Sequence, residues 1–358
     1  MDSRIDRVVE KLKKDGLTQM IVSDPKAILY LTGVENYPHE RLYALLIRDD
    51  GNHVFFLNNL FFIPKTSYEE VWFSDSDDYM SMVAEKVDRT KTLAVDKQWS
   101  ARFLIPLIER CPGMKVVLND CVDDVRAVKD DEEIRLMKAS SDINDAVMAC
   151  AKGFVREGMT EKELAALMDK AFLENGADGN SFETLVCFGA NAADPHHAPD
   201  DTALREGDVV LIDMGCIKDG YCSDMTRTFF FRSTNEKQIM IHDIVREANE
   251  RAEAMIRPGV RFCDIDSAAR DHITEKGYGE YFTHRLGHFI GMDVHEKGDV
   301  AQSNEGIATE GMIFSVEPGI YLPGEFGVRV EDLVIVTKDG CELLNHYDKK
   351  WTVIGNEQ

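Results

Sequence analysis

Two acidic hairpins in the second half of the chain constrain its fold more than any other feature. The first covers residues 208–231 and consists of two apolar, strand-like runs on either side of a turn at Asp219-Gly220. Asp213 and Asp224 are symmetric about position 218.5. This symmetry predicts that the two carboxylates lie opposite each other across the strand pair.

The second hairpin, residues 313–336, repeats this arrangement with glutamates. Glu317 and Glu331 are symmetric about Gly324, which belongs to the turn-forming pair Pro323-Gly324. Like charges that face each other on a sheet repel, and burying them among apolar residues adds a desolvation cost of several kcal/mol per ion. Any one of these acids alone would be interpreted as an edge-strand residue that faces water. Four of them in symmetric positions predict a bound cation.

A histidine-rich segment, residues 279–296, lies between the two hairpins and contains His284, His288 and His295. On its own, such a glycine-rich loop is at least as often structural as functional. Beside four acids, it predicts one imidazole as a metal ligand and another as a proton or hydrogen-bond donor. Carboxylates with one imidazole suit manganese or cobalt, with zinc as a further candidate, and four acids suit two ions better than one.

The predicted chemistry is hydrolysis. Two bridged divalent ions lower the pKa of a shared water from ~15.7 towards ~7, which produces hydroxide at neutral pH. The same ions polarise the carbonyl or phosphoryl oxygen that is attacked.

The first part of the chain shows a different pattern. Residues 1–125 alternate helical and strand signals, with an amphipathic first helix and a hairpin at 43–47 and 53–57 around Asp50-Gly51. This alternation predicts a small α/β domain. A polar, charged stretch at about 120–130 then precedes a long helix that runs towards Cys150. We therefore expect two domains, residues 1–125 and residues 126–358.

The second domain contains an internal repeat. Gly158 and Gly176 recur as Gly259 and Gly277, and both members of the pair are displaced by 101 residues (259 minus 158 and 277 minus 176). Each copy continues through histidines to an acidic hairpin. Two helix–helix–hairpin halves that pack face to face would bring all four acids to one centre.

Composition excludes two classes of partner and indicates a compartment. With 41 Lys and Arg against 65 Asp and Glu, the formal net charge of −24 repels nucleic acid and anionic lipid. No apolar run approaches the length of a membrane span, and the amino terminus does not resemble a signal peptide. The eight cysteines form no CxxC pair, which predicts reduced thiols in a cytoplasmic protein.

The segments around the acids and the histidine resemble the pita-bread metallopeptidases over residues 126 to about 350. The family's five metal-ligand motifs all occur, in order: LIDMG with Asp213, YCSDMTRTF with Asp224, HRLGHFIG with His288, SVEPG with Glu317 and GVRVED with Glu331. The amino-terminal domain makes the chain similar to the Xaa-Pro branch, aminopeptidase P and prolidase. The resemblance implies an α+β fold, with a pseudo-twofold pita-bread (creatinase/aminopeptidase-like) domain after a smaller α/β creatinase-like domain.

The resemblance also implies roles for individual residues. Asp213 would chelate one ion, His288 and Glu317 would hold the other, and Asp224 and Glu331 would bridge them. Glu317 would also shuttle the proton as a catalytic residue, while His196 and His295 would stabilise the tetrahedral oxyanion. The implied substrate-binding residues are His197 as a substitute for His196, His284, Arg329 and Tyr221.

The implied activity is hydrolysis of the amino-terminal Xaa-Pro bond of small peptides or dipeptides by metal-bridged hydroxide, with Mn²⁺ favoured and Co²⁺ or Zn²⁺ as alternatives. Relatives pair through their amino-terminal domains, so the resemblance also implies a homodimer in which residues 30–45 approach the partner's active site. Residues 295–304 lack the proline and arginine of many relatives, which leaves dipeptidase and aminopeptidase open, with Lys297 as a candidate cation.

Three other functions compete with this one. A methionine-aminopeptidase-like enzyme would share the metal centre but usually lacks a domain like residues 1–125. A non-catalytic peptide-binding member of the family, or a creatinase-like amidinohydrolase, would be expected to have lost some of the five ligands.

Overall fold

The computed structural model describes residues 3–355, which form two compact units, one ending at Arg126 and the other beginning at Ala127. The helices of the first unit are α1 (Arg4–Lys14), α2 (Pro25–Thr32), α3 (Tyr79–Lys86), α4 (Ala101–Arg110) and α5 (Cys121–Ala127), whose last residue belongs to the second unit. Its strands are β1 (Gln19–Val22), β2 (Ala44–Arg48), β3 (Val54–Asn58), β4 (Glu69–Phe73), β5 (Leu93–Val95) and β6 (Val116–Leu118).

These strands form one mixed sheet in the order β4-β3-β2-β1-β5-β6. The predicted hairpin is present as the antiparallel pair β2 and β3, with Ala44 opposite Phe56. The apolar run at 28–33 is helical because Asp24 caps the start of α2 and Gly33 ends it in the left-handed conformation, with φ of 71°. The prediction of an α/β amino-terminal domain is confirmed.

The second unit contains four long helices and a set of short strands. The helices are α6 (Asp131–Phe154), α7 (Glu161–Glu174), α8 (Glu236–Met255) and α9 (Phe262–Glu275). The strands are β7 (Gly179–Asn180), β8 (Leu185–Phe188), β9 (Val209–Met214), β10 (Cys216–Lys218), β11 (Tyr221–Cys222), β12 (Met225–Phe231), β13 (Gly287–Phe289), β14 (Glu296–Val300), β15 (Ile313–Val316), β16 (Gly319–Leu322), β17 (Phe326–Arg329), β18 (Asp332–Val336), β19 (Cys341–Leu343) and β20 (Val353–Ile354).

The internal repeat is confirmed by the helices and by the sheets. α7 and α9 are both 14 residues long, and their first residues, 161 and 262, are 101 apart (262 minus 161). In one half β9 pairs with β8 and β12, and in the other β15 pairs with β13 and β18, in each case antiparallel. Each half therefore consists of two helices followed by a sheet that carries one acidic hairpin.

The first hairpin has a different register from the predicted one. The turn at Asp219-Gly220 has two residues with positive φ, 49° and 82°, as in a type I′ turn, so the strands are symmetric about the middle of that pair. Asp213 is consequently opposite Thr226 and not Asp224. Because residues two apart on a strand share a face, Asp224 is still a diagonal neighbour of Asp213 on the same face.

The second hairpin has the predicted symmetry. Gly319 pairs with Arg329 in β16 and β17, and Val316 pairs with Asp332 in β15 and β18, which keeps one register centred on Gly324. Glu317 and Glu331 lie at symmetric positions in the gap between these strand pairs.

In residues 3–355, no helix has both the length and the apolar character needed to cross a bilayer.

Candidate metal centre and substrate cavity

A cavity of about 480 Å³ in the second unit brings most of the predicted site residues together. The predicted residues that line it are Asp213, Asp224, His288, Glu317, Glu331, His196, His284, His295 and Arg329. The remaining lining residues, which sequence reasoning missed, are Phe182, Leu185, Pro195, Arg285 and Val294. Its volume lies in the range of about 300–1,000 Å³ that is typical of small-ligand sites.

The acids and His288 meet at ligand-forming distances. Asp224, His288 and Glu331 are buried, and each offers one atom within 4.8 Å of the others. His288 Nε2 lies 3.5 Å from Asp224 Oδ2 and 3.5 Å from Glu317 Oε1. Its other ring nitrogen, Nδ1, lies 3.2 Å from the carbonyl of Phe289 and donates to it, which turns the lone pair of Nε2 towards the carboxylates.

The carboxylates carry too much negative charge for the cations that surround them. Burial, followed by the charge of Asp213, raises the pKa of Asp224 well above its usual range. Burial, followed by the charge of Asp224, raises the pKa of Glu331 in the same way, and burial raises the pKa of Glu317 to about 7. Asp213 Oδ1 is buried without a hydrogen-bond partner. These residues therefore fit a site for divalent cations.

Arg329 braces the site from β17. Its Nη2 donates to Asp213 Oδ2 over 2.7 Å, its Nε to Thr226 Oγ1 over 3.0 Å and its Nη1 to the Tyr321 hydroxyl over 2.9 Å. The Thr226 hydroxyl in turn donates to Glu331 Oε2 over 2.7 Å. Sequence reasoning missed Thr226 and Tyr321, although the correct register of the first hairpin would have placed Thr226 opposite Asp213.

A buried network supports the centre from the opposite side of the strands. Arg227 donates through Nη1 to the carbonyl of Glu331 over 2.6 Å and through Nη2 to Asp332 Oδ1 over 2.7 Å. Lys349 Nζ lies 2.7 Å from the second Asp332 oxygen and 2.6 Å from Glu253. This network, which sequence reasoning also missed, fixes the backbone of Glu331 rather than its carboxylate.

Two of the lining histidines are neutral at pH 7. Burial, followed by the charge of Arg329, lowers the pKa of His284 to about 4. Its Nδ1 donates to the carbonyl of Arg285 over 2.7 Å, so Nε2 accepts from Tyr321 over 2.8 Å. Partial burial, followed by the charge of His288, lowers the pKa of His295 to about 4. The rings of His288 and His295 meet edge-on, with centroids 4.2 Å apart.

The structure does not bring every candidate to the cavity. His197 turns away from it, and its Nε2 lies 2.8 Å from Glu161 Oε2. The Tyr221 hydroxyl donates to Glu133 in α6 over 3.0 Å, so this tyrosine ties a strand to a helix. Lys297 is exposed on β14. Among the described residues that line the cavity, the arginines are Arg329 and Arg285, and Arg285 is ion-paired with Asp299.

Fold and site together define a metal-dependent hydrolase of the pita-bread class. Residues 135–338 match the model of metallopeptidase family M24, and residues 4–128 match the creatinase/prolidase N-terminal domain. The chain therefore belongs to metallopeptidase family M24, and the resemblance inferred from its motifs is confirmed.

Similar proteins of known sequence or structure span almost the whole chain. An uncharacterised peptidase of Staphylococcus aureus is 35% identical over 97% of this chain and 100% of its own length. The crystal structure of a prolidase from Thermococcus sibiricus is 33% identical, with a TM-score of 0.90, and covers 99% of this chain and 100% of its own. An X-Pro aminopeptidase from Thermotoga maritima is 30% identical, with a TM-score of 0.81, and covers 96% and 100% respectively.

Proposed function

We propose that this protein is a dinuclear-metal exopeptidase that hydrolyses the amino-terminal Xaa-Pro bond of small peptides. The observation that carries the proposal is the convergence of four carboxylates and His288 on one cavity whose walls also hold His196 and His295. Support for proline specificity comes from the prolidase and the X-Pro aminopeptidase that the chain resembles along almost all of its length.

The ligands proposed for two divalent ions are Asp213, Asp224, His288, Glu317 and Glu331. When bound, such ions lower the pKa of water and polarise a carbonyl oxygen. An oxygen-rich set with one imidazole favours manganese, with cobalt or zinc as alternatives. The unpaired Asp213 Oδ1 and the lone pair of His288 Nε2 are the two atoms whose chemistry most needs a cation.

Glu317 is the proposed proton carrier. The family resemblance assigns this role to Glu317, since a carboxylate beside the metal pair can accept a proton and then deliver it to the leaving nitrogen. The Ser315 hydroxyl donates to Glu317 Oε1 over 3.2 Å and so orients the carboxylate. His295, neutral at pH 7, and His196 are the proposed N–H donors to the oxyanion.

The apolar part of the cavity wall suits a proline ring. A peptide bond to proline has no N–H and its ring is rigid, so recognition depends on shape and apolar contact rather than on a backbone donor. Phe182, Leu185, Pro195 and Val294 provide apolar surface in the same cavity as the acids.

Arg285 is the proposed determinant of substrate length. A dipeptide places its own carboxylate beside the proline, and a buried carboxylate needs a cation. Arg285 lies at the cavity wall and shares its charge with the exposed Asp299, whereas Lys297 is not among the residues that line the cavity. The proposal is that the Arg285 side chain exchanges Asp299 for the substrate carboxylate.

The test is a peptide panel of Ala-Pro, Ala-Pro-Ala and Met-Ala-Ala with Mn²⁺, Co²⁺ or Zn²⁺ restored to chelated protein. We expect hydrolysis of the first bond in the two proline peptides and none in Met-Ala-Ala. Cleavage of Met-Ala-Ala instead would identify a methionine aminopeptidase. Tight metal binding without hydrolysis of any peptide would identify a non-catalytic member.

We also propose a homodimer in which residues 30–45 approach the partner's active site, as the family resemblance implies. Tyr37, whose side chain is 77% exposed, offers apolar contact surface in that segment. Light scattering should give twice the chain mass of 40.4 kDa. A monomer with full activity at nanomolar concentration would contradict this proposal.

A further inference from the structure

The loop that carries His196 is anchored to a single buried residue outside the cavity. We propose that Glu161 is a positioning residue that holds His196 at the cavity wall, an inference that rests on the proposed function of His196. Glu161 is the first residue of α7, it is completely buried, and it does not line the cavity.

The Glu161 carboxylate accepts hydrogen bonds from both sides of His196 in the chain. Oε1 accepts from the Phe188 backbone N–H over 2.7 Å and from Asn191 Nδ2 over 3.0 Å. Oε2 accepts from the Asp200 backbone N–H over 3.0 Å and lies 2.8 Å from His197 Nε2. The four donors fill the carboxylate's lone pairs, so both ends of the loop from Phe188 to Asp200 are tied to one side chain.

His196 depends on this anchoring because its own side chain provides none. The ring is exposed at the cavity, and the described residues offer it no hydrogen bond. Its backbone N–H donates to Asp194 Oδ1 over 2.9 Å, which is a contact within the same loop. The position of the imidazole is therefore set by the backbone, and the backbone by Glu161.

The internal repeat shows that the fold does not require a carboxylate at this position. Phe262 is the first residue of α9 and lies 101 positions after Glu161, and Phe289 lies 101 positions after Phe188 (262 minus 161 and 289 minus 188). In this second half the contact is made by two phenylalanine rings with centroids 5.3 Å apart. The same architecture is thus built with an apolar pair, and the carboxylate serves the loop of the first half.

The primary test is Glu161→Gln, alone and combined with His196→Ala. The amide has one acceptor oxygen, so donors to the other carboxylate oxygen lose their partner. We expect kcat to fall about tenfold to a hundredfold with KM changed less than about threefold, because a misplaced catalytic group costs rate. In the His196→Ala background the same substitution should change kcat less than about twofold, since coupled residues are not additive. An equal loss in both backgrounds, or no loss at all, would overturn the inference.

Two further variants complete the design. Glu163→Gln is the matched control, because Glu163 is an exposed residue in the same turn of α7 whose capping role glutamine can also fill. Its activity should equal wild type. His197→Ala removes one of the four donors without altering the buried carboxylate, and it decides the question if Glu161→Gln does not fold. It should lower kcat about threefold to tenfold, again only when His196 is present.

Amide hydrogen exchange separates this inference from the proposed activity. In Glu161→Gln at least one of the Phe188 and Asp200 amides, which donate to different carboxylate oxygens, should exchange faster, while the amides of β15 and β18 stay protected. Unchanged exchange in the loop would overturn the inference even if every peptide is cleaved. If the wild type cleaves no proline peptide, the proposed activity fails, and the exchange result still decides whether Glu161 holds the loop.

Discussion

The two halves of the metal-binding unit are built alike but hold their histidine loops by different means. In the first half, Glu161 on α7 reaches out to the loop that carries His196. In the second half the carboxylate belongs to the histidine-rich segment 279–296 itself, at the first residue of β14. Glu296, the residue after His295, accepts from the Met292 backbone over 3.1 Å and is ion-paired with Lys129 at 2.9 Å.

This difference shows that a repeated fold preserves the helices and sheets but not the polar contacts that orient a side chain. Each half needs a partner for its loop, because a loop with unsatisfied backbone donors is costly to bury. One half uses two backbone amides, an asparagine and a histidine as donors, and the other uses a lysine whose side chain is only 1% exposed. The two loops should therefore respond to different substitutions.

The largest effect is expected where the two halves meet. Asp224 belongs to the first hairpin and lies 3.5 Å from His288 of the second half. Asp224→Asn should reduce turnover to background and release at least one ion, because the carboxylate proposed to bridge the two ions would lose its charge and an oxygen ligand together. Metal analysis and peptide assays check this result. Asp219→Asn, in the exposed turn of the same hairpin, is the control. Full activity with two ions bound in Asp224→Asn would refute the bridging role.

The next effect concerns the loop of the second half. Lys129→Met removes the cation from a buried ion pair, which should lower the free energy of unfolding by about 3–5 kcal/mol. It should also lower kcat through His295, and the double variant Lys129→Met/Glu296→Gln should recover part of the stability. Urea unfolding measures the change. Lys138→Met, which breaks the exposed pair with Glu342, should cost about 0.2–1 kcal/mol; equal losses at both sites would contradict the comparison.

Removing the metal ions tests how the carboxylates that the two halves bring together affect stability. Glu317 has a folded-state pKa of about 7 against 4.5 when unfolded, so the folded protein binds more protons between these values. The stability of chelated protein should therefore fall as pH rises from about 4.5 to about 7, by about 3 kcal/mol for this group. Thermal unfolding at several pH values should show this slope, and Glu317→Gln should flatten it. A slope of the opposite sign would rule out the burial effect.

The smallest effect is expected for substrate length. Arg285→Gln should lower kcat/KM for Ala-Pro relative to Ala-Pro-Ala about tenfold, which corresponds to about 1.4 kcal/mol. Lys297→Ala is the control, because Lys297 is exposed on β14. This substitution should leave that ratio unchanged. If the ratio moves with Lys297 and not with Arg285, the cation that selects dipeptides lies in the segment after His295.

The sequence by itself determined the parts of the site that depend on local pattern. Five candidate ligands were recognisable because each lies in a short motif that resembles the family's, and the 101-residue repeat followed from glycines at helix ends. The second hairpin was predicted in register because Pro323-Gly324 marks its turn. In the first hairpin the face was correct and the register was wrong, because the turn's two positive-φ residues, and not the symmetry of the acids, set the pairing.

Only the tertiary structure decided which side chains brace the site. Thr226 meets Glu331 from 105 positions away, Arg227 reaches Asp332 over the same separation, and Glu161 gathers donors 27 to 39 residues distant. The tertiary structure also places the side chains of His197 and Tyr221 outside the cavity, where sequence reasoning had not expected them. Strand period and turn chemistry act over a few residues, whereas these contacts exist only because packing brings together the helices and strands that bear them.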